Sequence, residues 1–234
     1  MKSSVYSKNV FLEGQVLLID KPLGWSSFDV VKKIKHLIRK KYSLKKLKVG
    51  HAGTLDPLAT GLLIVCTGKF TKKLNEIQSQ EKTYTGTITL GGSTPSYDLE
   101  TEINNNYETK HLSENLIYDV AKQFVGEIDQ KPPIFSAIKQ GGERLYKKAR
   151  RGEKITIQSR KVFIKVFKII SIENLHVTFK ITCSKGTYIR SIANDFGKKL
   201  NSGAYLSELR RTAIGNYALS KSVKIETFEK KLNL

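Results

Sequence analysis

Cysteine is scarce in this chain of 234 residues: Cys66 and Cys183 stand far apart, each in an apolar, strand-like run. That argues against a disulfide framework or thiolate metal site and fits buried, reduced thiols in a cytoplasmic protein. No apolar run approaches the ~20 residues needed to span a bilayer, so no membrane association is expected. The opening stretch MKSSVYSKNVFLEGQVLLIDK lacks an uninterrupted apolar segment and a small-residue cleavage site. Missing too are CxxC, HExxH, GxGxxG after a strand, GxxxxGK[ST] and GxSxG. The four histidines, His36, His51, His111 and His176, are scattered and make no ligand set. Neither a metal nor a nucleotide cofactor is therefore expected, and any chemistry must come from a carboxylate. With no internal repeat or low-complexity linker, residues 1–234 read most simply as one domain.

Acidic residues are half as common as basic ones, 21 against 41, for a net charge of +20. Such a field fits a polyanion partner, nucleic acid before anionic membrane. Lysine supplies 33 of the basic residues in an Ile- and Asn-rich chain, so coding bias is an alternative. Their distribution favours binding. Nine basic residues and no acid lie between Val31 and Lys48, and eleven basic residues against Glu143 and Glu153 lie between Lys139 and Lys168. From Asp98 to Asp129 eight acids face only Lys110 and Lys122.

The periodicity predicts a strand at Gln15–Ile19, a turn on Pro22 and Gly24, and a helix from Ser26 or Ser27 to about Lys41. Further strands are expected at Leu62–Thr67, Lys82–Leu90, between Ile155 and Ile172, at Leu175–Cys183 and around Leu206–Ala218. Helices are expected at about Phe70–Gln78, after Ser113 and stopped by Gly126, over Glu143–Arg151, after Thr187, and in a short tail. Lys131–Lys139 must be extended, because neither proline donates to a ladder. Long strands without regular βαβ alternation predict an α+β fold with a large mixed or antiparallel sheet flanked by helices.

One stretch fits no period: Val49–Gly61, VGHAGTLDPLATG, whose only carboxylate is Asp56. Pro57 biases Asp56 toward an extended or turn conformation, and Gly50, Gly53 and Gly61 permit sharp bends and close approach by a ligand. Either Asp56 is a reactive group on an irregular loop, or it only accepts hydrogen bonds within the turn. Arg190, with Tyr188 near the start of a helix, can pair bidentately with a carboxylate; the alternative is an ordinary surface ion pair. Tyr84 is the only aromatic on its strand face, a stacking platform for a base or a core tyrosine.

Several motifs then stand together: DKPLGWSS at Asp20–Ser27, VGHAGTLDPLATG, KTYTG at Lys82–Gly86, KPPIFSAIK and GERLYKKARRG within Lys131–Gly152, SKGTYIRSIANDFG at Ser184–Gly197, and ELRRTAIG at Glu208–Gly215. In these, from about Gly14 to about Ala218, the chain resembles the bacterial tRNA pseudouridine-55 synthases, the TruB family. The resemblance implies the pseudouridine synthase fold with a central RNA-binding cleft, tRNA (its T-arm) as partner, and cofactor-free isomerisation of a flipped-out uridine. Asp56 matches the essential aspartate, acting as a nucleophile at C1′ or as a base giving a glycal. A lone carboxylate suits this chemistry: a hydrolase needs a second one to activate water, whereas here the departing base is itself the acceptor.

By the same resemblance Tyr84 packs on the target base and helps remove the C5 proton, and Arg190 pairs with the aspartate. Tyr188 and Leu209 line the base pocket, His51 fills the stack left by the flipped nucleotide, and Lys21 with Pro22 shapes the cleft. The segment at about 131–160 matches an insertion that closes over RNA, its basic helix supplying phosphate contacts. Many members carry a further PUA-like domain, which is not expected here. A monomer needing no protein partner is implied. Two rivals remain: a guide-RNA-dependent pseudouridine synthase, and a non-catalytic tRNA-binding or tRNA-folding protein.

Overall fold

The computed structural model describes residues 6–136, 138–153 and 155–233. Outside the described residues lie the first five positions of the opening stretch, Ala137 of the expected extended segment, Lys154 of the second basic block, and Leu234. In chain order the elements are α1 (Lys8–Glu13), β1 (Val16–Lys21), α2 (Ser27–Lys41), β2 (Val49–His51), β3 (Ala59–Thr67), α3 (Leu74–Ser79) and β4 (Lys82–Leu90). There follow β5 (Gly92–Ser93), β6 (Asn105–Asn106), α4 (Glu114–Lys122), β7 (Gly126–Gln130), β8 (Lys139–Gln140), β9 (Glu143–Arg144) and α5 (Leu145–Arg150). Last come β10 (Arg160–Glu173), β11 (His176–Cys183), α6 (Ile189–Lys199), β12 (Ala204–Ile214), β13 (Tyr217–Ala218) and α7 (Ile225–Asn233). They form an α+β fold with a large mixed sheet, as expected.

Contacts divide the chain into two units, the first running up to Tyr84 and resuming at Leu209, the second spanning Thr85–Glu208. In the first unit β3 is central, antiparallel to β1 and β2 and parallel to β12. Its run Leu62–Cys66 is apolar throughout because both faces are covered. Leu63 and Val65 join Phe11 of α1, Val30, Ile34 and Ile38 of α2, and Phe228 of α7. Leu62, Ile64 and Cys66 pack with Ala52, Ile77 and Ile214. Each buried aliphatic contributes about 1.5–3 kcal/mol.

The start of α2 is set by a capping box: Ser26 Oγ accepts from Asp29 N (3.1 Å) while Asp29 accepts from Ser26 N (3.0 Å). At its other end Arg39, Lys40 and Lys41 complement the helix dipole.

In the second unit β10 pairs antiparallel with both β11 and β7. Four phenylalanines, Phe124, Phe167, Phe179 and Phe196, form its aromatic core, with ring centroids 5.6–6.1 Å apart. Both cysteines are free and buried, and burial pushes the Cys66 thiol up to about 11. No helix among the described residues is long and apolar enough to cross a membrane.

Several expectations need correction. The Val49–Gly61 stretch is not irregular throughout, since its ends belong to β2 and β3. The expected Phe70–Gln78 helix is a 3-10 segment, Gly68–Lys73, running into α3. Between Ile155 and Ile172 the strand begins only at Arg160, and Glu143–Arg144 pairs with Lys139–Gln140 before α5 starts. Helix α1 and strand β7 have no counterpart among the expected elements.

Candidate active site

The catalytic candidate sits on the link between β2 and β3. His51 pairs with Val65 in the ladder, and Ala52 N donates to Ile64 O at 2.9 Å. The chain then bends at Gly53, which has φ +95°. From there each of five successive carbonyls has a donor. Arg211 reaches Gly53 O (3.0 Å) and Thr54 O (3.4 Å). Ser27 Oγ donates to Leu55 O at 3.0 Å and accepts from Leu55 N at 2.8 Å. Ala59 N donates to Asp56 O at 3.0 Å. Pro57 O accepts from Gly24 N (2.9 Å) and Lys21 Nζ (3.3 Å).

The backbone on both sides of Asp56 is thereby fixed from β1, α2 and β12, and the half-buried Asp56 side chain is carried on a rigid turn. Such preorganisation lets a carboxylate act without first being ordered.

The two cations beneath the turn are buried: Lys21 is 0% and Arg211 1% exposed. Lys21 Nζ also donates to Pro22 O (2.9 Å) and Trp25 O (2.5 Å). Burial drives its ammonium down to about 8; Asp56 pulls it up again, Arg211 pushes it further down, and Asp29 draws it up. Arg211 completes its fork with Nε on Leu62 O at 2.8 Å. His51 is half-buried; burial lowers its pKa, the Gly53 backbone partly offsets this, and Arg211 lowers it further.

The parallel register sets Leu209 beside Ala59, Arg210 beside Thr60 and Arg211 beside Gly61. A Cβ on Gly61 would lie 2.4 Å from Arg211 O, at φ +102°, so this crossing requires glycine. Arg210 ties the strands to β1 through Asp20 Oδ2 at 2.7 Å. Lys21, His51, Asp56 and Leu209 are thus gathered around one turn. Tyr84 belongs to the same unit, buried at the Lys82–Tyr84 end of β4.

Tyr188 and Arg190 belong to the second unit. Tyr188 caps α6, its N–H donating to Gln130 Oε1 (2.8 Å) and its carbonyl accepting from Gln130 Nε2 (3.0 Å). The Arg160 guanidinium lies over its ring, 4.9 Å from the centroid.

Arg190, in the first turn of α6, is 3% exposed. It donates to Ser96 O (3.2 Å) and Phe135 O (3.0 Å), and its Nε lies 3.5 Å from the Asp98 carboxylate. Among the basic residues near α5, Arg150 pairs with Glu100 (2.8 Å) and Arg151 with Glu143 (2.7 Å) and Glu153 (2.6 Å).

Arg211, Ser27, Gln130 and Asp98 were not singled out as site residues from sequence. Arg211 stood in the quoted ELRRTAIG motif; nothing in the pattern distinguished its buried guanidinium from that of Arg210.

The family model of the TruB family pseudouridylate synthase N-terminal domain matches residues 39–189, and that of the tRNA pseudouridylate synthase B C-terminal domain matches residues 190–234. A tRNA pseudouridine synthase B from Flavobacterium johnsoniae is 60% identical over 95% of this chain and 97% of its own length. One from Phocaeicola vulgatus is 47% identical, covering 93% of each chain. Among solved structures, a chain of a Cbf5-Nop10-Gar1 complex aligns with TM-score 0.69 and 29% identity over 94% of this chain. A chain of an archaeal box H/ACA sRNP Nop10-Cbf5 complex aligns with TM-score 0.70 and 25% identity over 98%. This chain spans 54% and 57% of those two chains. With the family model matched over well over half its length, the chain belongs to the TruB family of pseudouridylate synthases.

Proposed function

We propose that this protein is a tRNA pseudouridine synthase that isomerises uridine 55 in the T-loop without a cofactor. The observation that carries the reading is the turn around Asp56, pinned at five successive carbonyls and underlain by two buried cations. Asp56 attacks C1′ or removes a ribose proton that is later returned, the N1–C1′ bond breaks, the base rotates, and C5 bonds to C1′. The C5 proton then leaves and N1, freed of the ribose, takes one up. No oxidant or net reductant is needed, because uracil is both leaving group and acceptor.

In this proposal Tyr84 packs on the base and assists loss of the C5 proton. Arg190 pairs with Asp56, and Tyr188 and Leu209 line the pocket. His51, neutral near pH 7 because its pKa is lowered, fills the vacated stack. Lys21 shapes the cleft beside Pro22. The chain works as one catalytic domain, a cytoplasmic monomer, with the basic segment at about 131–160 closing over the RNA.

The guide-dependent alternative draws on two H/ACA assemblies among the solved structures, at 27% and 25% identity. The 60% identity to a tRNA pseudouridine synthase B along nearly its full length favours the stand-alone enzyme. Incubating purified protein with a bare T-arm hairpin tests this choice. Pseudouridine at the target position supports the proposal. Conversion only after a guide RNA is added contradicts it, and binding without conversion favours a tRNA-folding role.

A further inference from the structure

Helix α2 divides its surface by charge as well as by polarity. Its apolar stripe, Val30, Ile34, Leu37 and Ile38, is buried in the core of the first unit. On another face Lys32, Lys35, His36, Arg39 and Lys40 line a groove of about 590 Å³, closed at one end by Ser43 and Leu44. Spacings of three and four residues put these side chains on one helical stripe.

The closing turn is built rather than loose. Arg39 donates through Nε to Leu44 O (3.1 Å) and through Nη2 to Lys45 O (2.9 Å). Leu44 N bonds back to Arg39 O at 3.0 Å. Ser43 takes the left-handed conformation, φ 49°, that this turn needs.

Cations on the flank toward α7 have partners: Lys33 meets Glu229 at 3.4 Å and Lys41 meets Asn233 O at 3.5 Å. In the groove, Lys35 and Lys40 take no ion-pair or hydrogen-bond partner among the described residues. Asp29 is the acid near this row, beside Lys32 at its N-terminal end, and five basic side chains line the groove. A concave row with such an excess of positive charge concentrates anionic ligand.

We propose that this groove is a second RNA-binding site, holding phosphates of the substrate tRNA backbone away from the uridine being modified. The inference rests on the tRNA-modifying function proposed above. Ser27 at the start of α2 holds the catalytic turn through Leu55. Lys32 and Lys40 lie about 8 and 20 Å further along the helix axis. A backbone seated there is several phosphates from the target, so it adds affinity and registers the tRNA without touching the reacting atoms.

The test compares wild type with the triple variant Lys32→Gln, Lys35→Gln, Lys40→Gln. Arg39 is left intact because it holds the turn. Binding to unmodified tRNA is measured across a salt series, with kcat at saturating tRNA and backbone footprinting of the bound tRNA. The expected result is binding at least about tenfold weaker at low salt and a salt slope flatter by about 2–3, one unit per lost phosphate contact. kcat should be unchanged, and protection should be lost at tRNA phosphates outside the T-loop.

The control Lys33→Gln, Lys41→Gln should leave all of these unaltered. Unchanged affinity and slope in the triple variant overturn the inference. So does weaker binding confined to anionic lipid vesicles, which would assign the groove to a membrane surface. Wild type that binds tRNA without converting it would instead overturn the catalytic proposal and leave the groove's result readable.

Discussion

Arg211 donates to the carbonyl of Gly53 at 3.0 Å across 158 positions of sequence, and with its bonds to Thr54 and Leu62 it fastens β12 beneath the turn that carries Asp56. An arginine this deeply buried is costly unless its donors are used, and here three carbonyls use them. Replacing it by methionine keeps much of the volume and leaves those acceptors without their donor. The expected loss is at least about 3 kcal/mol, on the order of 6–12 °C in Tm for a chain of this length. Urea unfolding of Arg211→Met checks it; a loss under 1 kcal/mol would show that water or a neighbour replaces the guanidinium easily.

Gly61 makes a second prediction about the same crossing. In Gly61→Ala the methyl group meets Arg211 O at 2.4 Å in a positive-φ conformation. The β3–β12 register must shift, and the turn that carries Asp56 with it. Activity should fall by more than about tenfold, with a stability loss of about 1–3 kcal/mol from strain. An alanine variant with wild-type kcat and Tm would contradict the close approach.

Lys21 carries the pH dependence. Its folded-state pKa is depressed to about 8 from 10.5, so between those values the unfolded chain binds more protons than the folded one. As far as Lys21 is concerned, stability therefore rises as pH climbs from 8 toward 10.5. Activity should move the other way. Once the ammonium is neutral, the charge beside Asp56 is gone and its bond to Pro57 O weakens. We expect kcat to fall about 10–100-fold through one ionisation near pH 8. In Lys21→Met, activity should be low throughout and flat across that range. A wild-type profile flat to pH 10 would refute the role of the charge.

Arg190 and Asp98 lie 3.5 Å apart, both buried. Losing one partner of such a pair costs about 3–5 kcal/mol, because the other charge stays buried. Arg190→Met should therefore destabilise strongly, and Asp98→Asn in the same chain should recover part of the loss. A double-mutant cycle measures this coupling; about 1 kcal/mol or more is expected, and simple additivity would contradict it.

The elements legible in the sequence were those whose buried face imposes a period. Helix α2 shows its stripe from Val30 to Ile38, and β11 alternates from Val177 to Cys183. Strand β7 was not legible, because Glu127 and Asp129 alternate with residues of mixed character and Gly126 reads as a helix stop. Strand β2 was hidden by Gly50 and its brevity. Within the site, the Val49–Gly61 stretch stood out by its glycines and lone carboxylate, but its supports did not. Ser27 holds Leu55 from 28 positions away and Arg211 holds Gly53 from 158. No local pattern encodes such distant contacts, and a buried lysine or arginine looks like any other in a chain so rich in them. Asp98 reads in sequence only as the first of a run of eight acids, and nothing there marks it as buried beside Arg190.

The most direct test of the account is pseudouridine mapping in unmodified tRNA after incubation with wild type and with Asp56→Asn. Asparagine is isosteric and leaves the backbone bonds of the turn in place. It has neither the charge nor the basicity of the carboxylate. The account predicts conversion at position 55 by wild type, and a rate at least about 10³-fold lower for Asp56→Asn with tRNA binding retained, the scale expected when a reacting group is lost. Equal conversion by the two proteins would contradict it.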